Sequence, residues 1–357
     1  MSIQFQPHKR RFLSRRQFTR LMLTGAIGGS VAIAELASRP LGLVKWFSVN
    51  FRRISLGFGQ SSEVAIITAP SYDSVGEVLN QLRTAWDSLS MPEVLGKRVV
   101  LKPNIIYNIP GRVINTHPVV IDAAIQLMRE KGAKEIVVAE GTAYQRDITD
   151  LLYQSGIQEV LERNAVPFVD LNHDDIKKVR NKGGYSGRED LWVPMTVANA
   201  DLLISMPKLK THHWAGATLS MKNLYGIVPG LKYGWPKNAL HVTGIEANIV
   251  ELYETLAPQV AIVDGIIGME EDGPLFGRSK STQVLVVGRD LVAVDATCAR
   301  IMGFEPSSEV IKHIWYADWL GQGVLNQSKI IIKGVPLESV RQNYLPPPSL
   351  DDTIKRY

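Results

Sequence analysis

From Glu63 onward, apolar and polar positions fall into an α/β rhythm. Short apolar runs predict strands at Val64–Thr68, Arg98–Leu101, Glu135–Ala139, Val166–Leu171, Leu202–Ser205, Val260–Val263, Val284–Val287 and Lys329–Lys333. Helices are predicted over Asp73–Leu89, Val119–Lys131, Ile148–Gln154, Ile245–Leu256, Leu291–Met302 and Val310–Leu320. Thr116 and Pro118 suit the N-cap and first turn of the second helix, and Gly132 suits its C-terminal stop. Asn172–Glu189 reads as a polar excursion and Asp264–Gly277 as a loop of glycines and acids. Strands that alternate with helices imply an α/β fold, a mostly parallel sheet with helices on both faces, in one body or in two lobes with the site between them. The segment after Val335, with Pro346-Pro347-Pro348, reads as an irregular surface tail.

Charge changes the picture at the N-terminus. The chain of 357 residues carries a formal charge of +5, but residues 1–53 hold ten of the Lys and Arg residues and one acid. The remainder holds 30 basic against 34 acidic side chains, a net of −4. A mildly acidic body argues against nucleic-acid binding and for a small-molecule enzyme or binder. Ser14-Arg15-Arg16-Gln17-Phe18-Thr19-Arg20, followed by the weakly apolar Leu21–Ala34, resembles a twin-arginine export signal, and Ala32-Ile33-Ala34 is a candidate cleavage site. The division expected is a signal segment over 1–37, a linker over 38–62, an α/β domain over 63–335 and a tail over 336–357. The protein is then exported across the cytoplasmic membrane by the twin-arginine machinery. Its destination is a periplasm or a thylakoid-lumen-type compartment, where it is soluble or anchored by an uncleaved signal. Leu41–Phe51, with Trp46 and Phe47 beside basic residues, is either an interfacial segment or part of the linker. The single cysteine, Cys298, excludes an intramolecular disulfide and an iron–sulfur cluster held by this chain alone.

Candidate chemistry gathers where apolar strands end. Lys102-Pro103-Asn104 follows one strand, and its ammonium and amide can hold a carboxylate or phosphate. Thr116 and His117 open a helix whose start favours an anion. Glu140 ends another strand, and Asp264 follows a third, ahead of Glu270, Glu271 and Asp272, a set that could bind a hard cation or be simply solvated. The densest stretch is Asp201–Gly230, where a strand opens into Lys208, Lys210, His212, His213, Lys222 and Asn223. Lys208 and Lys210 can share one side of an extended chain, whereas His212 and His213 face opposite ways, so one imidazole enters the site. A lysine among cations has its pKa lowered and can act as base or tether. Imidazoles without thiolates, His241 among them, suit nickel, iron or zinc, so the cofactor is left open between such a metal and a lysine-tethered organic group. Asp295, inside an apolar helix, is either a buried partner of a lysine or an exposed helix position.

These residues carry a resemblance to the family of domain of unknown function 362. The matching pieces are Val99–Asn104, the helix after Thr116-His117-Pro118, Ala139–Gly141, Ser205–His212, Ser220–Gly230, Val263–Gly265 with Gly273-Pro274, and Gly288–Ala296. Members are often joined to ferredoxin-like modules, so the resemblance implies a separate redox partner for this chain. A weaker resemblance is to the lactate racemase family. Ala200-Asp201 is followed by His212, Ala215-Gly216, Lys222 ten places after His212, Pro229-Gly230 and His241. It implies that His212 transfers a proton, Lys222 tethers a nickel-bearing nucleotide and His241 ligates the metal. Where that family has Ser-Gly-Gly this chain has Thr218-Leu219-Ser220, and its Lys-to-Pro interval is longer by three. The function expected is that of a cofactor- or metal-dependent enzyme acting on a small carboxylate or hydroxy acid by hydride or proton transfer. Lys102, His212 and Lys222 would be catalytic, and Asn104, Thr116, His117, Glu140, Lys208, Lys210, Asn223 and Asp264 would hold substrate or cofactor. The alternative is a non-catalytic periplasmic binder or carrier of a metal or an anionic ligand.

Overall fold

Strands that are apolar on both faces need cover on both sides, and this requirement organises the chain. The computed structural model describes residues 61–143, 147–234, 238–308 and 311–350. The expected export signal, the Leu41–Phe51 segment, nearly all of the expected linker and the end of the tail lie outside the described residues. The chain divides after Arg52, and the described residues all belong to the second unit, Arg53–Tyr357.

The elements run β1 Ser62–Thr68, α1 Val75–Asp87, β2 Arg98–Pro103, α2 Pro118–Glu130, β3 Glu135–Glu140, α3 Ile148–Gln154, α4 Ile157–Arg163, β4 Phe168–Asp170, β5 Ile176–Arg180 and β6 Asp190–Pro194. They continue with α5 Met195–Ala198, β7 Leu202–Met206, β8 Lys208–His212, β9 Gly216–Thr218, α6 Ser220–Asn223, α7 Gly230–Tyr233, α8 Asn238–Val242, α9 Ile245–Leu256, β10 Val260–Glu270, β11 Arg278–Gly288, α10 Leu291–Ile301, α11 Lys312–Trp319, β12 Ile330–Gly334 and α12 Leu337–Val340. A ten-stranded sheet has the order β12-β1-β11-β10-β7-β2-β3-β4, with β8 and β9 joined to the far half of β10. Its pairings are parallel apart from those made by β11 and the short β8–β9 pair. The mostly parallel α/β sheet expected from the sequence is therefore the fold. One face packs α1, α2, α3 and α4 against residues such as Val99, Leu101, Val138 and Ile204. The wholly buried α10 and the short α6 cover strands β1, β7, β10 and β11 on the other side.

Several boundaries differ for physical reasons. His117, not Thr116, caps α2: its Nδ1 accepts from Val119 N, while Pro118 takes the first turn as expected. Thr116 instead accepts from Asn104 N at 2.9 Å and donates to Met206 O at 2.6 Å, fastening β2 to β7. Asp264–Gly277 is not a loop over its length, since β10 runs on to Glu270 and forms a long antiparallel hairpin with β11. The two acids within β10 are paired, Asp264 with Lys208 and Glu270 with Lys280, and Glu271 just beyond it pairs with Arg278. Neutralised in this way, Asp264 and Glu270 can lie in a strand. The polar excursion contains β5, which pairs with β6 in a separate small sheet. The tail is partly core, because Tyr344 is fully buried and its hydroxyl bonds Thr282.

Candidate functional site

The site lies where parallel strands β2, β3 and β7 end, the position at which open α/β sheets present ligands. Lys102 at the end of β2 and Glu140 at the end of β3 form an ion pair at 2.7 Å, with 0% and 2% of their side chains exposed. Lys102 Nζ also donates to Asn223 Oδ1 at 2.7 Å, which brings α6 onto the strand ends. The Glu140 carboxylate accepts Ile105 N and Gly141 N as well, so its lone pairs are committed within the protein. A Cβ at Gly226 would collide with Glu140 Oε1 and Lys102 Nζ, so a glycine there lets the backbone close over the pair. Asn223 donates to Lys102 O and Ser205 Oγ. Asn104 donates to Asn223 Oδ1 at 3.2 Å, while its own Oδ1 is buried and makes no hydrogen bond.

Lys208 and Asp264 are a second buried pair, at 2.6 Å and with no exposure on either side chain. They are opposite one another in the β8–β10 register. Asp264 also accepts the Tyr72 hydroxyl at 2.6 Å and His117 N at 2.9 Å. Tyr72 stacks on His117 with ring centroids 3.7 Å apart. Burial pushes the His117 imidazole down to about 4, so it is neutral, and burial beside Asp264 pushes the Tyr72 phenol up, so it stays a donor. Tyr72 left no signal in the sequence: its partner stands 192 residues away.

Lys210 and Lys222 complete a set of four buried lysines that holds two carboxylates. Lys210 Nζ donates to Ile114 O at 2.7 Å and Pro274 O at 3.4 Å. Burial and the repulsion of Lys208 and Lys222 hold its pKa well below the usual ammonium range. Lys222 lies over the Tyr225 ring at 4.3 Å and makes no hydrogen bond or ion pair to any described residue. Burial and the nearby Lys102 ammonium bring it down to about 7, with Glu140 opposing. Lys102, Lys208 and Lys210 are sealed, but 8% of Lys222 remains exposed, so of the four it is the one a solute can reach.

His212 ends β8 with its Nδ1 accepting from Trp214 N at 3.1 Å and Ala215 N at 3.3 Å. An Nδ1 that accepts leaves the neutral ring's proton on Nε2. Burial and the charge of Lys222 hold the ring neutral, far below its ordinary pKa. His212 is thus a fixed hydrogen-bond donor, and of these two it is Lys222 that titrates near neutrality. His213 does not point away as an extended chain would require. The strand stops at His212, the two rings stack at 4.9 Å, and His213 is held through Nδ1 to Gly273 O. Trp214 leads on to His241 at 5.3 Å, and His241 to Tyr225 at 5.0 Å, so a ladder of rings joins His212 to Lys222.

Asp295 is buried but partners no lysine: it accepts from Ser220 N at 2.7 Å and Met221 N at 3.0 Å, fixing the start of α6. Burial raises it to about 7. His313, on α11, is fully buried with both ring nitrogens unpaired, and the Lys222 charge helps hold it down at about 3. Neither feature was readable locally. Tyr225 was, because it follows Lys222 by one helical turn.

The structure therefore brings Lys102, Asn104, Glu140, Lys210, His212, Lys222 and Asn223 together at the strand ends, with the Lys208–Asp264–Tyr72–His117 cluster beside them and His241 within the ladder, between Trp214 and Tyr225. Thr116 braces two strands. Among the described residues no group of three His, Cys, Asp or Glu side chains is placed to hold a metal.

Residues 99–300 match the family model described as domain of unknown function, DUF362. The chain belongs to that family. A DUF362 relative by sequence is a thylakoid-associated protein of Synechocystis sp., 31% identical over 262 residues, an alignment covering 69% of this chain and 76% of that one. Among solved structures, the lactate racemase apoprotein of Thermoanaerobacterium thermosaccharolyticum aligns with a TM-score of 0.41 and 12% identity, covering 68% of this chain and 57% of that one. A protein of Thermotoga maritima aligns with a TM-score of 0.33 and 13% identity over 65% and 59%. This DUF362 chain thus spans less than two thirds of either solved chain. No helix of its described residues is long and apolar enough to cross a membrane.

Proposed function

We propose that this DUF362 protein is an exported enzyme acting on a small carboxylate or hydroxy-acid anion. The observation that carries this reading is the imbalance of four buried lysines against two carboxylates, each already paired. An anionic ligand would favour the ammonium forms of Lys210 and Lys222, which burial and mutual repulsion otherwise disfavour. His212 Nε2 would donate to the ligand's oxygen, and Lys222, poised near neutrality, would be the proton-transferring group. Lys102, Asn104 and Asn223 would hold the mouth of α6 in place. If hydride transfer is the reaction instead, Lys222 and His241 would hold a metal or organic cofactor that supplies it, with a separate redox partner, and Lys222 would then not be the proton-transferring group.

Calorimetric titration of protein purified from its native host with D-lactate, L-lactate, pyruvate and phosphate tests the reading. At least one organic acid is expected to bind, with His212→Ala keeping binding and losing turnover. Binding without turnover in the wild-type protein would favour the carrier alternative, and binding of none of them would overturn both.

Export rests on Arg15-Arg16 and on the thylakoid association in the name of the Synechocystis relative. The twin-arginine machinery would deliver the folded chain to a periplasm or thylakoid lumen. Replacing Arg15 and Arg16 together by Lys should leave the protein in the cytoplasmic fraction, and unchanged fractionation would sink this route.

A further inference from the structure

We propose that Lys222 forms a covalent imine with a small 2-oxo acid, so that the site's ligand class is a carboxylate bearing an adjacent carbonyl. The inference rests on the anion-binding reading above and narrows it.

Four observations converge on Lys222. It is the reachable member of the lysine set, whereas Lys102, Lys208 and Lys210 are fully sealed. Those three are tied by hydrogen bonds to Glu140, Asp264 or backbone carbonyls, while Lys222 Nζ has no acceptor among the described residues and faces the Tyr225 ring. An amine that keeps some exposure and has no protein acceptor is not tied down, so in its neutral form the lone pair is free to attack. Lys102 stands near enough to repel a charge on it, as a second cation does where an amine must be nucleophilic at neutral pH. His212, near enough to feel the Lys222 charge, has its Nδ1 anchored by two backbone amides and so keeps Nε2–H for an oxygen.

A 2-oxo acid matches this set. Its carboxylate answers the positive charge that the protonated imine places among the buried lysines, and its carbonyl carbon accepts the amine. The Lys222 lone pair forms a carbon–nitrogen bond while the carbonyl π electrons move to oxygen. The oxygen then leaves as water, carrying one proton from the amine and one from solvent, and a protonated imine remains. No electron is gained or lost, so the step needs no oxidant or reductant. His212 stabilises the departing oxygen by hydrogen bonding and keeps its own proton, since losing it would leave an imidazolate. A hydroxy acid or a plain carboxylate could occupy the same pocket but could not make the bond.

The experiment incubates the full-length protein with pyruvate or glyoxylate at pH 7 in sodium cyanoborohydride and maps reduced adducts by peptide mass spectrometry. The adduct is expected at Lys222, in excess over exposed lysines by on the order of a hundredfold, because an ordinary lysine is almost wholly protonated at that pH. It should be absent in Lys222→Arg, and acetate in excess should slow its formation in the wild-type protein. Adducts spread over exposed lysines would overturn the imine. If pyruvate still binds in the calorimeter with no adduct at Lys222, the imine is wrong and the anion site stands. If pyruvate neither binds nor reacts, both readings fall. Mapping on the wild-type protein keeps the test decisive even should Lys222→Arg fold poorly.

Discussion

Glu140→Ala should lower the unfolding free energy by about 3–5 kcal/mol, the loss expected when one partner of a buried ion pair is deleted. The Lys102 ammonium would lose its carboxylate at 0% exposure, and Ile105 N and Gly141 N would lose their acceptor. Against a total stability of about 5–15 kcal/mol, that loss brings a domain close to unfolding. Lys102→Met should cost less, because Glu140 would keep its two backbone donors. The double variant Lys102→Met/Glu140→Ala should recover part of the loss, since it removes both charges rather than stranding one. Denaturant titration of the wild type, both singles and the double closes the cycle. Strictly additive single losses would mean that the pair is not coupled, and the strand-end site would lose its central strut.

The parts of this site that were legible are those that end an apolar run. Leu101, Ala139 and Ile204 are buried in the core, so the next positions, Lys102, Glu140 and Ser205, had to emerge at the ends of the strands. The β10–β11 hairpin was hidden because glycines and acids imitate a loop. The reason for its glycines is long-range: a Cβ at Gly268 would strike Leu209 O and the Tyr344 hydroxyl, and one at Gly265 would press on Leu209 and Val284. Its acids look solvated until lysines from β8 and β11 are seen beside them. The capping role of His117 was missed because imidazole seldom does what Asn or Ser does, although its Nδ1 can accept in the same way. Tyr72 and His313 matter through partners remote in sequence, and no periodicity marks them.

Lys222 should leave a pH signature that separates it from its three neighbours. In the unfolded chain its amine binds a proton up to the ordinary value of 10.5, and in the fold it releases that proton near 7. Between those values the unfolded state holds more protons, so stability must rise with pH across the window. Below about 7 both states are charged and the full penalty of burying the ammonium applies. Above 10.5 both are neutral and the penalty is gone. The rise attributable to this group is on the order of 4 kcal/mol. Lys222→Met should therefore be more stable than the wild type at pH 6, and the two curves should converge by about pH 10. Lys102 and Lys208 titrate in both proteins, while Lys210 loses the repulsion of Lys222, so the difference between the curves reports position 222 together with that coupling. Lys102→Met adds a second arm: removing the repelling ammonium should move the onset of the rise to higher pH. Parallel curves between pH 7 and 10 would mean that Lys222 is an ordinary charged lysine, and with that the neutral amine required for either proton transfer or imine formation would be gone.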